Sequence, residues 1–365
     1  MLSVCGNGQV RYPAPVHPAA SAHDSQQQMP TEHVVIVGDG QMSLVLADLL
    51  AVRQVKTTIL SPFEAEAARL AHSRTSVRLP NFRLDSAVTV TADASHLASA
   101  SLVVCAIPTQ FIRATFARIG ASIPSGVPVV SVAKGIESDT FRLPCDILEE
   151  TLNRSRSQPS PIAALSGPTI AAELARRLPA ALVAASPDSA LAASLQATFT
   201  SPWTRIYQSN DLVGVELAGA CKNVIAIAAG VIDGMALGMN TKSALLARGL
   251  AEIARVGVAL GGRLETFFGI TGVGDLATTC FAPEGRNRSF GEALARGESP
   301  EAILARMTSV VEGVPTSRAL VRVAREHGIE VPICEAVAAM VYDGLDPREA
   351  LRQLMSRATS TERIG

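Results

Sequence analysis

The chain has 365 residues, 48% of them hydrophobic and 18% charged, with a formal net charge of −1. That length suits two domains of roughly 100–200 residues rather than one core, and the balanced charge, without a cluster of basic and aromatic residues, speaks against a nucleic-acid groove or an anionic membrane surface and for a small-molecule partner. Six cysteines (Cys5, Cys105, Cys145, Cys221, Cys280 and Cys334) show neither CxxC nor Cys/His ligand spacing, which excludes the signatures of structural zinc and of a disulfide framework and leaves reduced, cytoplasmic thiols as the expectation.

Residues 1–32 are rich in Pro, Ser, Gln, Ala and His and read as a disordered tail with no signal-peptide core or membrane span; Met29 is an alternative start point. From His33 to about Gln208, short β-branched runs at 34–37, 57–60, 88–90, 102–107, 127–133, 162–165 and 180–185 alternate with Ala-rich or amphipathic stretches. This alternation predicts βα units and a parallel sheet buried on both faces over residues 33–210. After Asp211 the apolar runs lengthen to ten or more residues between Gly, Pro and Asn breakers, so residues 211–355 read as a helical domain, with 356–365 as a short tail. Ser209, Asn210 and Asp211 offer the N-cap of a long helix reaching about Asp233.

The first strand, Val34–Val37, runs into Gly38-Asp39-Gly40-Gln41-Met42-Ser43 and then into the helical run from Leu44. Strand, glycine turn and helix in this order form a dinucleotide fingerprint: Gly38 permits the tight turn, Gly40 lets the backbone approach a pyrophosphate, and the helix N-terminus presents N–H groups to it. Two residues fit less well. Ser43 stands where a third Gly or Ala normally allows close helix packing, and Asp39 sets a carboxylate beside a phosphate site, acceptable only with its side chain turned to solvent. The end of the second strand, Leu60-Ser61-Pro62-Phe63, carries neither the acid that favours NAD nor the base that favours NADP, so the choice stays open.

Carbonyl–alcohol redox chemistry needs a group that moves a proton at the oxygen, usually His, Lys or Tyr. None of the six histidines follows a cofactor-side strand in a catalytic context. Lys222 lies within an apolar helical run whose residues three and four positions away are Ala218, Gly219, Ile225 and Ala226, with no carboxylate to pair with it on its own helix. Either it is a buried general acid/base with a lowered pKa, with small neighbours leaving room for substrate, or it snorkels to water. Lys134, in Ala133-Lys134-Gly135, follows a strand at the carboxyl edge where such sheets bind ligands, or else is a solvated loop lysine. Gly274-Asp275-Leu276 presents an acid on a Gly-rich turn, and Gly285-Arg286-Asn287 places Arg and Asn at a helix N-terminus suited to phosphate.

Taken in order, these motifs, together with Ala106-Ile107-Pro108, Ser166-Gly167-Pro168-Thr169, Lys222-Asn223, Asn240-Thr241-Lys242, Thr279-Cys280 and Val311-Glu312-Gly313, resemble the NAD(P)-dependent glycerol-3-phosphate dehydrogenase family from about residue 33 to 355. The resemblance implies an α/β Rossmann domain followed by an all-α domain of the 6-phosphogluconate-dehydrogenase-like kind, and reversible reduction of dihydroxyacetone phosphate to sn-glycerol 3-phosphate, feeding glycerophospholipid synthesis. It implies Lys222 as general acid/base, Lys134 as an electrostatic partner of substrate and cofactor, and Asp275 as an anchor for substrate and Lys222. Gly167, Thr169, Gly285, Arg286 and Asn287 match further substrate positions; Gly38, Gly40, Gln41, Met42, Lys134, Ala171, Arg286, Val310 and Glu312 match cofactor positions for NAD or NADP. Departures from the bacterial pattern fall at Met42, Ser43, Pro62, Ser76 and Gly285. Another phospho-sugar or ketoacid reductase of the same superfamily, or a non-catalytic dinucleotide-binding homologue, is the alternative, and assembly as a homodimer is left open.

Overall fold

The computed structural model describes residues 31–154, 156–283, 285–307 and 309–358. The expected N-terminal tail lies outside them as far as residue 30, as do residues 359–365. Thr31 and Glu32, read as tail, are tied down: Thr31 Oγ1 pairs with Thr198 Oγ1 at 2.9 Å, and the Glu32 amide donates to Ser101 Oγ at 3.0 Å.

Ten strands are described: β1 (His33–Val37), β2 (Lys56–Leu60), β3 (Thr75–Ser76), β4 (Leu79–Arg83), β5 (Thr89–Thr91), β6 (Leu102–Cys105), β7 (Val129–Ser131), β8 (Ile162–Ser166), β9 (Ala180–Ala185) and β10 (Thr204–Ser209). Eight form one sheet in the order β10-β9-β8-β7-β6-β1-β2-β5, while β3 and β4 make a separate hairpin absent from the sequence reading. The first six helices are α1 (Gln41–Val52), α2 (Glu64–Ser73), α3 (Ile112–Ile119), α4 (Pro144–Leu152), α5 (Ala171–Ala175) and α6 (Ser189–Phe199). Strand alternation divides the core between the two faces. Val34 and Ile36 of β1 pack with Leu44, Leu174 and Phe199 from α1, α5 and α6, whereas Val35 and Val37 pack with Phe116 and Leu148 from α3 and α4. A continuous apolar strand is what burial on both faces requires.

The expectation of an all-parallel sheet fails at one edge. β9 runs antiparallel to β8, with Ala164 opposite Ala185 and Leu165 opposite Ala184, and β10 follows β9 in parallel. A parallel return needs a crossover that recrosses the sheet, usually a helix. Between β8 and β9 lies only the 5-residue α5, so the chain turns back at the same end; the 11-residue α6 between β9 and β10 does make the crossover.

The helical part comprises α7 (Leu212–Gly234), α8 (Gly238–Ala259), α9 (Leu264–Phe267), α10 (Asp275–Phe281), α11 (Arg286–Ala295), α12 (Pro300–Arg306), α13 (Gly313–Glu326), α14 (Pro332–Tyr342) and α15 (Pro347–Met355). α7 is its axis. By length and composition it could cross a membrane, yet here it is enclosed by α8, α10, α11, α13 and α14 and abuts β8. Asp211 caps it, accepting from the Gly214 amide at 2.9 Å, and its other oxygen accepts from the Arg263 amide at 2.8 Å, which fixes the segment leading to α9. α11 lies unusually close to α7 because glycines face each other's backbone. A Cβ at Gly230 would fall 1.9 Å from the Arg288 carbonyl oxygen, and one at Gly291 2.0 Å from that of Ile227.

Two buried glutamates supply caps that neighbouring helices lack. Glu216 of α7 accepts from the Cys145 amide of α4 at 2.9 Å, joining the domains, and Glu252 of α8 accepts from the Ile333 and Cys334 amides of α14 at 2.9 and 3.1 Å. Burial raises their pKa values to about 8 and about 7 respectively. Cys105, Cys145, Cys221, Cys280 and Cys334 are free and buried, as expected for thiols used as small apolar side chains.

Candidate active site

At the end of β1 the turn behaves as the glycine pattern requires. Gly38 has φ +116°, and a Cβ there would lie 2.6 Å from the Ala106 carbonyl oxygen, so only glycine fits. Gly40, the N-cap of α1, has nothing within 4 Å of where a Cβ would be, leaving open space before the helix N-terminus. Ser43 is fully buried, and its hydroxyl has no hydrogen-bond partner, the cost of replacing a third Gly or Ala. Asp39 departs from expectation. Its side chain is buried, accepts from Ser61 Oγ at 2.7 Å and forms an ion pair with Arg78; the carboxylate is neutralised within the protein rather than by solvent.

Lys222 sits midway along α7 and is 6% exposed, so it does not snorkel. Its Nζ donates to Asp275 Oδ1 and, at 2.7 Å, to Thr279 Oγ1. A wide turn over Ile270–Gly274 delivers Asp275 to the first position of α10, where a carboxylate suits the helix dipole. Thr279 follows one turn later on the same face and donates onward to the Asp275 carbonyl at 2.7 Å. Lys134, in the loop after β7, reaches the other oxygen of Asp275 at 2.7 Å, the Gly167 carbonyl at 2.8 Å and Thr169 Oγ1 at 3.4 Å. Two ammonium groups from different domains thus share one buried carboxylate. Burial lowers the Lys222 pKa to about 8, with Lys134 adding to the fall and Asp275 opposing it; Asp275 is held below the usual carboxylate range by the two lysines despite its burial.

The small residues around Lys222 do not leave the room expected of them. Ala218, Ile225 and Ala226 are fully buried in the core, and a Cβ at Gly219 would meet Ser166 Oγ at 3.1 Å and Lys134 Cγ at 3.5 Å, so that space holds the stem of the second lysine.

A chain of amides ties the lysines to α11 and α13. Asn223 donates to the Lys134 carbonyl at 2.9 Å, Asn287 donates to Asn223 Oδ1 at 2.9 Å, and the Gly313 amide donates to Asn287 Oδ1 at 2.9 Å. Glu312, just before α13, accepts from the Thr109 amide at 2.8 Å. Burial raises its pKa to about 7. Its second oxygen and the Thr109 hydroxyl are buried without partners, as is Ser166 Oγ. Unsatisfied buried groups of this kind are costly unless a ligand completes them. Together with the space before Gly40 they fit a dinucleotide lying from the glycine turn to Glu312. Arg286 opens α11 beyond its N-cap Gly285 with its side chain exposed; partial desolvation lowers its pKa while Glu312 opposes the fall. Gln41 donates its side-chain amide to the Arg78 carbonyl, and Met42 packs half-buried on the α1 face of the sheet. Ala171 begins α5, and Val310 is half-buried beside Val311.

Reading by motif left Thr109, Ser166, Asn223 and Thr279 without roles. The spacing of Asp275 and Thr279 on one helix face could have revealed the latter; Thr109 meets Glu312 across 203 positions, which no local pattern encodes.

Fold and site together define a two-domain, dinucleotide-dependent dehydrogenase in which each domain contributes one lysine. The descriptions "NAD-dependent glycerol-3-phosphate dehydrogenase N-terminus" and "C-terminus" match residues 33–192 and 211–352. The chain belongs to that family. It is 41% identical to the glycerol-3-phosphate dehydrogenase [NAD(P)+] of Thermobifida fusca over 91% of this chain and 99% of that protein, and 42% identical to the protein of that name from Thermus thermophilus over 90% and 99%. The crystal structure of glycerol-3-phosphate dehydrogenase from Coxiella burnetii superposes with a TM-score of 0.84 at 29% identity, covering 90% of this chain and 99% of that one. A ketopantoate reductase from Ralstonia eutropha, at 17% identity and a TM-score of 0.56, shares the fold alone.

Proposed function

We propose that this protein catalyses the reversible, NAD(P)H-dependent reduction of dihydroxyacetone phosphate to sn-glycerol 3-phosphate, with Lys222 moving the proton. The observation that carries the reading is the buried Lys222–Asp275–Lys134 triplet. Two ammoniums against one carboxylate leave a net positive charge in a dry site, which favours an anionic, phosphorylated substrate. Burial brings the Lys222 pKa down to about 8, within reach of a general acid for the ketone oxygen and a general base for the alcohol. Asp275 and Thr279 hold its Nζ in place, and Lys134, bonded to the Gly167 carbonyl, polarises the same site from the sheet side. Arg286 at the start of α11, with Gly285, Asn287 and the Lys134-bonded Thr169, serves the phosphate; both side-chain ends of Asn287 are already engaged, so it acts with its remaining N–H or by holding Asn223. Bound nicotinamide supplies the hydride. Gly38, Gly40, Gln41 and Met42 flank the pyrophosphate position, and Ala171, Val310 and Glu312 line the path towards the ring, where the free oxygen of Glu312 can accept an amide N–H.

Among the described residues the one helix long and apolar enough to cross a membrane is enclosed. The free, buried thiols suit a reducing compartment, and on that ground we read the enzyme as cytoplasmic, supplying glycerophospholipid synthesis. The test is Lys222→Ala in an NADH-oxidation assay with dihydroxyacetone phosphate. Turnover falls about 10²- to 10⁴-fold while NADH affinity, read by fluorescence, is nearly unchanged. A variant within a few-fold of the parent ends the assignment.

A further inference from the structure

The end of β2 carries no charged residue, yet tertiary structure brings one of each sign to it. Strands β1 and β2 pair in parallel with Val37 opposite Leu60, so the residues just beyond their ends are neighbours. Ser61 Oγ donates to Asp39 Oδ2 at 2.7 Å, which places a buried carboxylate within one hydrogen bond of the position where dinucleotide folds keep the acid for the adenosine ribose. Arg78, from the bend between β3 and β4, pairs with the other oxygen of Asp39. Its backbone is pinned on both sides, the amide donating to Ser76 Oγ at 3.3 Å and the carbonyl accepting from Gln41. The side chain remains 37% exposed, so its guanidinium keeps donors free for a ligand.

We propose that Asp39 and Arg78 together read the 2′ position of the cofactor's adenosine ribose, Asp39 accepting from the hydroxyl of NAD(H) and Arg78 donating to the phosphate of NADP(H). This rests on the dinucleotide reading above. An acid alone would repel a 2′-phosphate, and a base alone would favour it; a neutral pair excludes neither cofactor. The pair also explains how a carboxylate is tolerated inside a phosphate-binding turn.

Removing each partner therefore shifts preference in opposite directions. Dissociation constants for NADH and NADPH by fluorescence, and for ADP and 2′,5′-ADP by calorimetry, are compared in the parent, Arg78→Gln and Asp39→Asn proteins. Arg78→Gln weakens NADPH and 2′,5′-ADP by about 10- to 100-fold and NADH by less than about 3-fold, the scale of one charge-assisted hydrogen bond. Asp39→Asn shifts the ratio towards NADPH. If Arg78→Gln leaves the NADPH/NADH ratio unchanged, or both variants shift it the same way, the proposal is overturned. Should Asp39→Asn not fold, the partly exposed Arg78 carries the test alone. A parent protein that binds neither dinucleotide overturns the cofactor reading instead, separating the two failures.

Discussion

Lys222 shows how an environment turns a common side chain into an acid of useful strength. Its burial costs the charged form more than Asp275 returns, because Asp275 divides its two oxygens between Lys222 and Lys134. The consequence is a defined pH dependence. Reduction needs the ammonium, so kcat/KM for dihydroxyacetone phosphate falls as pH rises through about 8; oxidation of glycerol 3-phosphate needs the free amine and rises over the same window. Stability carries the same signature. Since the folded chain releases this proton at about 8 and the unfolded chain near the ordinary lysine value of 10.5, Lys222 destabilises the fold less and less as pH climbs between them. Asp275→Asn leaves two ammoniums facing each other, so the midpoint of the reduction profile moves below that of the parent. An unmoved midpoint would assign the titration to another group.

At the scale of elements, the site depends on how closely α11 approaches α7. α7 carries Lys222 and Asn223, α11 carries Arg286 and Asn287, and the Asn223–Asn287 bond of 2.9 Å exists only at the spacing that Gly230 and Gly291 permit. Gly230→Ala drives a methyl group into the Arg288 carbonyl and forces the helices apart. Overpacking of this kind costs about 1–3 kcal/mol, and backbone rather than a flexible side chain must give way here, so the upper end is expected. Thermal unfolding measures the loss of stability, and KM for dihydroxyacetone phosphate rises with it because the amide chain is broken. An alanine variant with parental melting temperature and KM would show that the close approach carries no function. The same reasoning explains α4 and α14, whose first amides are satisfied by Glu216 and Glu252 on other helices, so neither is an independent unit.

Across the whole molecule, polar bonds in protected positions join the two domains: Lys134 to Asp275, Asn223 to the Lys134 carbonyl, Glu312 to the Thr109 amide and Glu216 to the Cys145 amide. Breaking one leaves a buried partner unsatisfied at about 1–3 kcal/mol, so the domains lose little by unfolding together and much by separating. Calorimetry is expected to show one cooperative transition. NADH at about 100 times its Kd stabilises it by about 2.7 kcal/mol through mass action. Two resolved transitions, with NADH moving only the first domain's, would mean that the bridges do not couple the domains.

Local chemistry made much of this legible from the residues alone. β-branched runs announce buried strands because a strand covered on both faces has no polar side, a Gly-rich turn between strand and helix announces the dinucleotide turn because only glycine adopts φ +116° against the Ala106 carbonyl, and Asp211 announces α7 because a helix start needs an acceptor. The helical run around Lys222 marked the lysine as unusual without showing where its charge goes. That was decided by tertiary structure: the carboxylate shared with Lys134, the filling of the space beside Gly219, and the meeting of Asp39 with Ser61 and Arg78 all join residues that no local window holds together. Sequence patterns report the period of an element and the chemistry of its ends. Which charges meet depends on long-range packing, whose geometry no window of neighbouring residues contains.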